Sequence, residues 1–102
     1  MAKLISIFWR DIPAQVVGRE GRRNVKKELP PRFATAIDRA AMRAGRGSSD
    51  AYLDDWRRET EIVSGDLEAI VAERAAALEA RFDPATLESV VKAGGRRKDE
   101  ST

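Results

Sequence analysis

Lys3-Leu4-Ile5-Ser6-Ile7-Phe8-Trp9 is rich in β-branched and aromatic residues and contains neither Gly nor Pro. Such a run reads as a strand, and apolar side chains at both parities make it a central one. Alternation sets Ile5, Ile7 and Trp9 on one face and Leu4 and Phe8 on the other. Arg10-Asp11-Ile12-Pro13 is then a connection, because Pro cannot donate to a central ladder and suits a strand start. Ala14-Gln15-Val16-Val17 follows as a second short strand, antiparallel to the first across so tight a link.

Gly18 to Lys27 holds two glycines, five basic residues and one acid, with Val25 its only apolar side chain. It reads as a loop or a solvated strand extension. Leu29-Pro30-Pro31 ends it and opens a helix, since Pro is well placed in a first turn. Phe33, Ile37, Ala40, Ala41 and Ala44 fall at helical spacing and form a buried stripe, and Gly45 and Gly47 end the helix. Ser48-Ser49-Asp50 can cap a short helical turn from Ala51 to about Asp55. Gly45-Arg46-Gly47 lacks any Walker or dinucleotide pattern and reads as part of that capping loop. Trp56 to Val63 alternates in its second half and reads as a third strand. Asp66 opens a long helix whose stripe is Leu67, Ile70, Val71, Arg74, Ala75, Leu78 and Phe82. Asp83-Pro84 caps a last helix carrying Leu87, Val90 and Val91, stopped by Gly94-Gly95. The expectation is an α+β fold of two layers in the order β-β-α-β-α-α. Its three-stranded sheet is antiparallel or mixed, with helices on one face. Residues 1–93 form the single domain and 94–102 a disordered polar tail.

The chain has 102 residues, enough for one domain with a modest core; 42% are hydrophobic and 35% charged. It contains no Cys and no His, which removes disulfides, thiolate chemistry and the commonest general base and transition-metal ligand. The run Leu4–Trp9 is too short and too interrupted for a signal-peptide core, and nothing approaches a membrane span. A cytoplasmic protein is the expectation, with no cofactor, no metal and no catalytic residue assigned.

Charge is divided along the chain. Residues 1–46 hold eleven Lys and Arg against four Asp and Glu, whereas residues 50–90 hold four against eleven, a hidden dipole behind a net charge of +2. Arg19, Arg22, Arg23, Lys26 and Lys27 crowd the basic loop, and Arg32, Arg39, Arg43 and Arg46 follow on or beside the next helix. Loop and helix face together could form one cationic surface for an acidic protein partner, Arg favouring bidentate contacts. The competing reading is a solvated face that pairs with the acidic half of the same chain. Nucleic acid or a phosphorylated ligand is the alternative occupant, weakened by the lack of interleaved aromatics. Self-association into a homodimer, basic half against acidic half, is a third. Asp54 and Asp55 are adjacent carboxylates beside Trp56 but lack the spacing of a cation loop. Trp9-Arg10 and Trp56-Arg57 suit core anchoring with cation–π support.

Three segments carry a resemblance. They are Ile7-Phe8-Trp9-Arg10-Asp11-Ile12-Pro13-Ala14-Gln15-Val16, the run Leu29 to Ala41, and Asp50-Ala51-Tyr52-Leu53-Asp54-Asp55-Trp56-Arg57-Arg58. Over about residues 3–82 the chain resembles a bacterial family of virulence factor domains. That domain occurs alone and inside longer proteins similar to the staphylococcal conserved virulence factor C, beside a scaffold-like domain and helical repeats. The resemblance implies an interaction module, and the genomic company of the stand-alone forms implies a link to folate and corrinoid methyl transfer. It brings no catalytic residues to carry over.

Overall fold

The apolar run at the start of the chain is β1, Ala2–Trp9, with β2 (Ile12–Glu20) on one side and β4 (Trp56–Val63) on the other. In this computed structural model, which describes residues 1–45 and 49–96, β3 (Arg23–Glu28) completes a sheet ordered β3-β2-β1-β4, antiparallel throughout. The helices are α1 (Pro31–Arg43), α2 (Ser49–Asp54), α3 (Leu67–Arg81) and α4 (Pro84–Lys92). Arg46, Gly47 and Ser48, on which part of the expected helix end and cap fell, lie outside the described residues, as does the tail from residue 97.

The sheet has four strands, not the three expected, and the order is β-β-β-α-α-β-α-α. The stretch read as a loop or solvated extension is the end of β2, a two-residue turn and β3. Gly21 has φ of 61° and takes the first turn position, where a II′ hairpin calls for glycine. β3 shows no apolar alternation because all but Val25 of its side chains are exposed. Backbone pairing with β2 forms it, from Glu20 opposite Arg23 to Gln15 opposite Glu28. The register of β2 with β1 skips Ala14, a bulge beside Pro13, and the Ala14 carbonyl accepts from the Leu29 N–H at 3.1 Å.

One face of the sheet carries Ala2, Leu4, Phe8 and Val16, and α3 lies across it with Leu67, Val71, Ala75 and Leu78 buried. Gly18 marks the closest approach: a Cβ there would lie 2.7 Å from Leu67 Cδ1 and from Val71 Cγ2. α1 and α4 pack on each other, and Phe33 meets Phe82 edge-on at 6.3 Å. Asp66 caps α3 by accepting from the Glu68 N–H, and Asp83 caps α4 by accepting from the Thr86 N–H at 2.8 Å. α2 starts two residues before the expected turn and ends one residue before Asp55. Asp55 already follows the sheet, its carbonyl accepting from the Arg10 N–H at 3.0 Å.

The domain extends past the expected boundary at residue 93. Gly94 and Gly95 are buried in left-handed conformations, φ 72° and 94°, and the Gly95 carbonyl accepts from the Asp11 N–H at 2.9 Å. A Cβ on Gly95 would meet Trp9 Cζ3 at 2.8 Å, so the chain must be glycine to pass this close to the indole.

Candidate interaction surface

Two motif segments distant in sequence meet at the β1–β2 turn. Arg10 has φ of 54°, unusual for a non-glycine residue, and three groups hold it there. Its Nε donates to Asp55 at 3.1 Å, its Nη1 donates to the Gly94 carbonyl at 2.9 Å, and its guanidinium lies 5.1 Å from the centre of the Trp9 ring. Arg57 donates to the Arg10 carbonyl at 2.8 Å, pairs with Asp11 at 3.5 Å and covers the Phe8 ring. The fully buried Trp9 donates its indole N–H to the Tyr52 carbonyl, and Tyr52 lies between Trp9 and Trp56 with ring centres 5.9 and 5.8 Å away. Each charged group here is answered by another, so the cluster fixes a corner of the fold.

Tyr52 and Trp56 also line a groove of about 710 Å³ walled by apolar residues of α1 and α3, including Ala34, Ile37, Ala72 and Ala76. Burial pushes the Tyr52 phenol above its ordinary range, and the nearby Asp38 carboxylate adds to the shift, against hydrogen bonding with Trp56. The phenol stays protonated at neutral pH and serves as an aromatic wall, not a base. Among the described residues no group of three or more acidic side chains could hold a metal ion, and no helix is long and apolar enough to cross a membrane.

The eight residues expected to form one cationic surface are dispersed. Arg39 makes a two-pronged pair with Glu88 at 2.8 and 2.9 Å. That pair raises the Arg39 pKa and lowers that of Glu88. Arg43 donates to the Lys92 carbonyl, and Arg32 reaches the Glu79 and Phe82 carbonyls while lying over the Phe33 ring. Arg23 pairs with Glu68 of α3 at 2.9 Å. Those four stitch helices to one another or to the sheet, so the helix face and the loop do not merge. Lys27 lines the groove, and Arg22 sits exposed in the β2–β3 turn. Arg19 and Lys26 point to the other side of the sheet.

That other side defines itself through register, because residues directly opposite in antiparallel pairs share a face. Asn24, Arg19, Lys3 and Ile62 form one row across the four strands. Lys26, Val17, Ile5 and Thr60 form the next, and Glu28, Gln15, Ile7 and Arg58 the third. Lys3, Arg19, Lys26, Arg58 and Ile62 are exposed, Ile62 to 60%, while Ile7 and Val17 are half-buried. Four cations therefore face one carboxylate, Glu28, which pairs with Lys26 at 3.5 Å. Lys3, Arg19 and Arg58 have no ion pair among the described residues. The α3 side differs: there Glu61 is clasped by both Arg74 prongs at 2.9 and 3.0 Å. Sequence reasoning missed Lys3 and Arg58 as members of a surface. Lys3 shares the parity of Ile5 and Ile7, and that was the available signal.

A four-stranded antiparallel sheet covered by α3 on one side and left basic and partly aliphatic on the other defines a small α+β domain with an open sheet face. The chain belongs to the Virulence factor family, whose model matches residues 7–91. No curated protein and no solved structure matches it.

Proposed function

We propose that this domain is a non-catalytic interaction module that docks an acidic protein partner through its open sheet face. The observation that carries the reading is the set of exposed cations Lys3, Arg19 and Arg58, which share the open face and have no ion pair among the described residues, while Arg23, Arg32, Arg39 and Arg43 on the helical side are engaged within the fold. Cations answered inside a domain hold it together; cations left over on one face steer and select a partner of opposite charge. The surface is narrower than the loop and helix face suggested by the sequence. It keeps Arg19 and Lys26, with Arg22 beside it at the hairpin turn, and gains Lys3 and Arg58. An acidic protein of a folate- or corrinoid-dependent methyl-transfer system is the partner class implied by the family resemblance, and no folate or corrinoid site is assigned to this chain.

Affinity capture with mass spectrometry, at low and at moderate salt, tests the reading. The triple variant Lys3→Glu, Arg19→Glu, Arg58→Glu is expected to lose the partner that the unaltered chain recovers. Added salt should weaken recovery, as it screens exposed charges that lie more than about 10 Å apart at about 0.1 M. Equal recovery by the triple variant would overturn it. A duplex or single-stranded nucleic acid bound at low salt and lost in the triple variant would move the assignment to the phosphate-binding alternative.

A further inference from the structure

The open face also constrains the shape of what it takes. We infer that its occupant is an amphipathic α-helix of the partner, apolar along one stripe and carrying Asp and Glu on both flanks; this rests on the docking reading above.

Half-buried Val17 and Ile7 stand beside the buried Ile5 in an aliphatic band on the two central strands, with Ile62 exposed at one corner. Lys3 and Arg19 close the band at one end, Lys26 flanks Val17 from β3, and Arg58 flanks Ile7 from β4. Four strands span about 14 Å and the three rows about 13 Å, room for two to three turns of one helix about 10 Å wide. β1 and β2 are paired on both sides, so the middle of this face offers side chains, and the free ladders lie at the outer edges of β3 and β4, away from the band. The opposite face already displays the arrangement: α3 sets Leu67 and Val71 inward while its flanking Glu68 reaches Arg23 of β3. A nucleic acid would need aromatic faces for its bases, and the centre of this face is aliphatic. The cations at its border call for carboxylates on the incoming helix, where rim charge contributes specificity and rate of encounter.

The test titrates the ¹⁵N-labelled protein with a synthetic helical peptide of about 18 residues, Leu on one stripe and Glu on the flanks. Controls are a scrambled peptide of the same composition and one with Lys flanks. The patterned peptide is expected to bind at least about tenfold more tightly than either control. Amide shifts should be confined to residues 3–7, 15–19 and 58–62. Ile62→Glu, whose side chain is 60% exposed and whose fold can be checked by thermal melting, should weaken binding by about tenfold. Equal binding of the scrambled peptide overturns the proposal, as do shifts centred on the Arg22 turn or α1. Self-association through the same residues without peptide binding overturns it in favour of a second copy. If Ile62→Glu keeps the native partner while the triple charge variant loses it, the helix seat falls and docking stands. If both keep the partner, docking itself falls.

Discussion

Gly18 stands where α3 comes closest to β2, and the space above it belongs to Leu67 and Val71. Gly18→Ala is expected to cost about 1–3 kcal/mol, since the added methyl overpacks a filled contact. Gly21 supplies the comparison. Nothing lies within 4 Å of a Cβ there, so Gly21→Ala meets only the strain of its positive φ, about 1–2 kcal/mol. Urea unfolding of the pair separates packing from backbone strain. Repacking of Leu67 or Val71 to smaller residues should rescue the first variant and destabilise the second further. Ser6 is the converse case. It is 2% exposed on the α3 side of β1, and its hydroxyl has no hydrogen-bond partner among the described residues. Ser6→Ala removes that buried polar group and is expected to raise stability by about 1 kcal/mol. A lower urea midpoint would contradict the burial argument.

Helix starts are governed by single side chains. Asp66→Ala deprives the first turn of α3 of the oxygen that accepts from the Glu68 N–H, and is expected to cost about 1 kcal/mol. The check is the urea midpoint against Asp66→Asn, which keeps an acceptor and most of the stability. This element was legible in the sequence, because the cap and the stripe from Leu67 to Leu78 agree on its start and phase. β1 was legible from its β-branched and aromatic residues and β4 from the alternation of its second half. β3 was not: its residues are charged on both faces, so no hydrophobic period marks it, and only the backbone ladder with β2 defines it. That omission also hid the surface. Read as a loop, Arg19, Arg23, Lys26 and Lys27 form one cluster; read as paired strands, parity parts Arg19 and Lys26 from Arg23 and Lys27. Arg39 and Arg43 joined the expected surface by helical spacing alone. Their carboxylate and carbonyl partners lie 49 residues away in α4, beyond any local pattern.

Across the whole molecule the charge dipole of the sequence resolves into two populations. One is consumed between elements, in Arg10–Asp55, Arg23–Glu68, Arg39–Glu88 and Arg74–Glu61, and the other has no ion pair among the described residues, with Lys3, Arg19 and Arg58 on the open face and Arg22, Lys27 and Arg81 elsewhere. The first population fixes the pH response. Arg74 lowers the pKa of Glu61, Arg39 lowers that of Glu88, and the cap bond from the Thr86 N–H lowers that of Asp83. Each carboxyl is more acidic folded than unfolded. Its stabilisation is complete above the unfolded value of about 4 and is lost as pH falls through the lower folded value. The chain has no His, so stability should change little between pH 6 and 8 and fall below about pH 4. Urea midpoints across that range test the sign.

Arg10 joins the first hairpin to Asp55 and to Gly94, contacts separated by 45 and 84 residues along the chain. Bonds that close loops of that length come late in folding, after local hairpins and helices have formed. Replacing Arg10 with Met should therefore leave the refolding rate nearly unchanged and fall almost wholly on the unfolding rate, which stopped-flow denaturant jumps would read directly. The residue that makes the corner is in this sense a clasp on the lifetime of the native state: it governs how long the domain, once closed, stays closed.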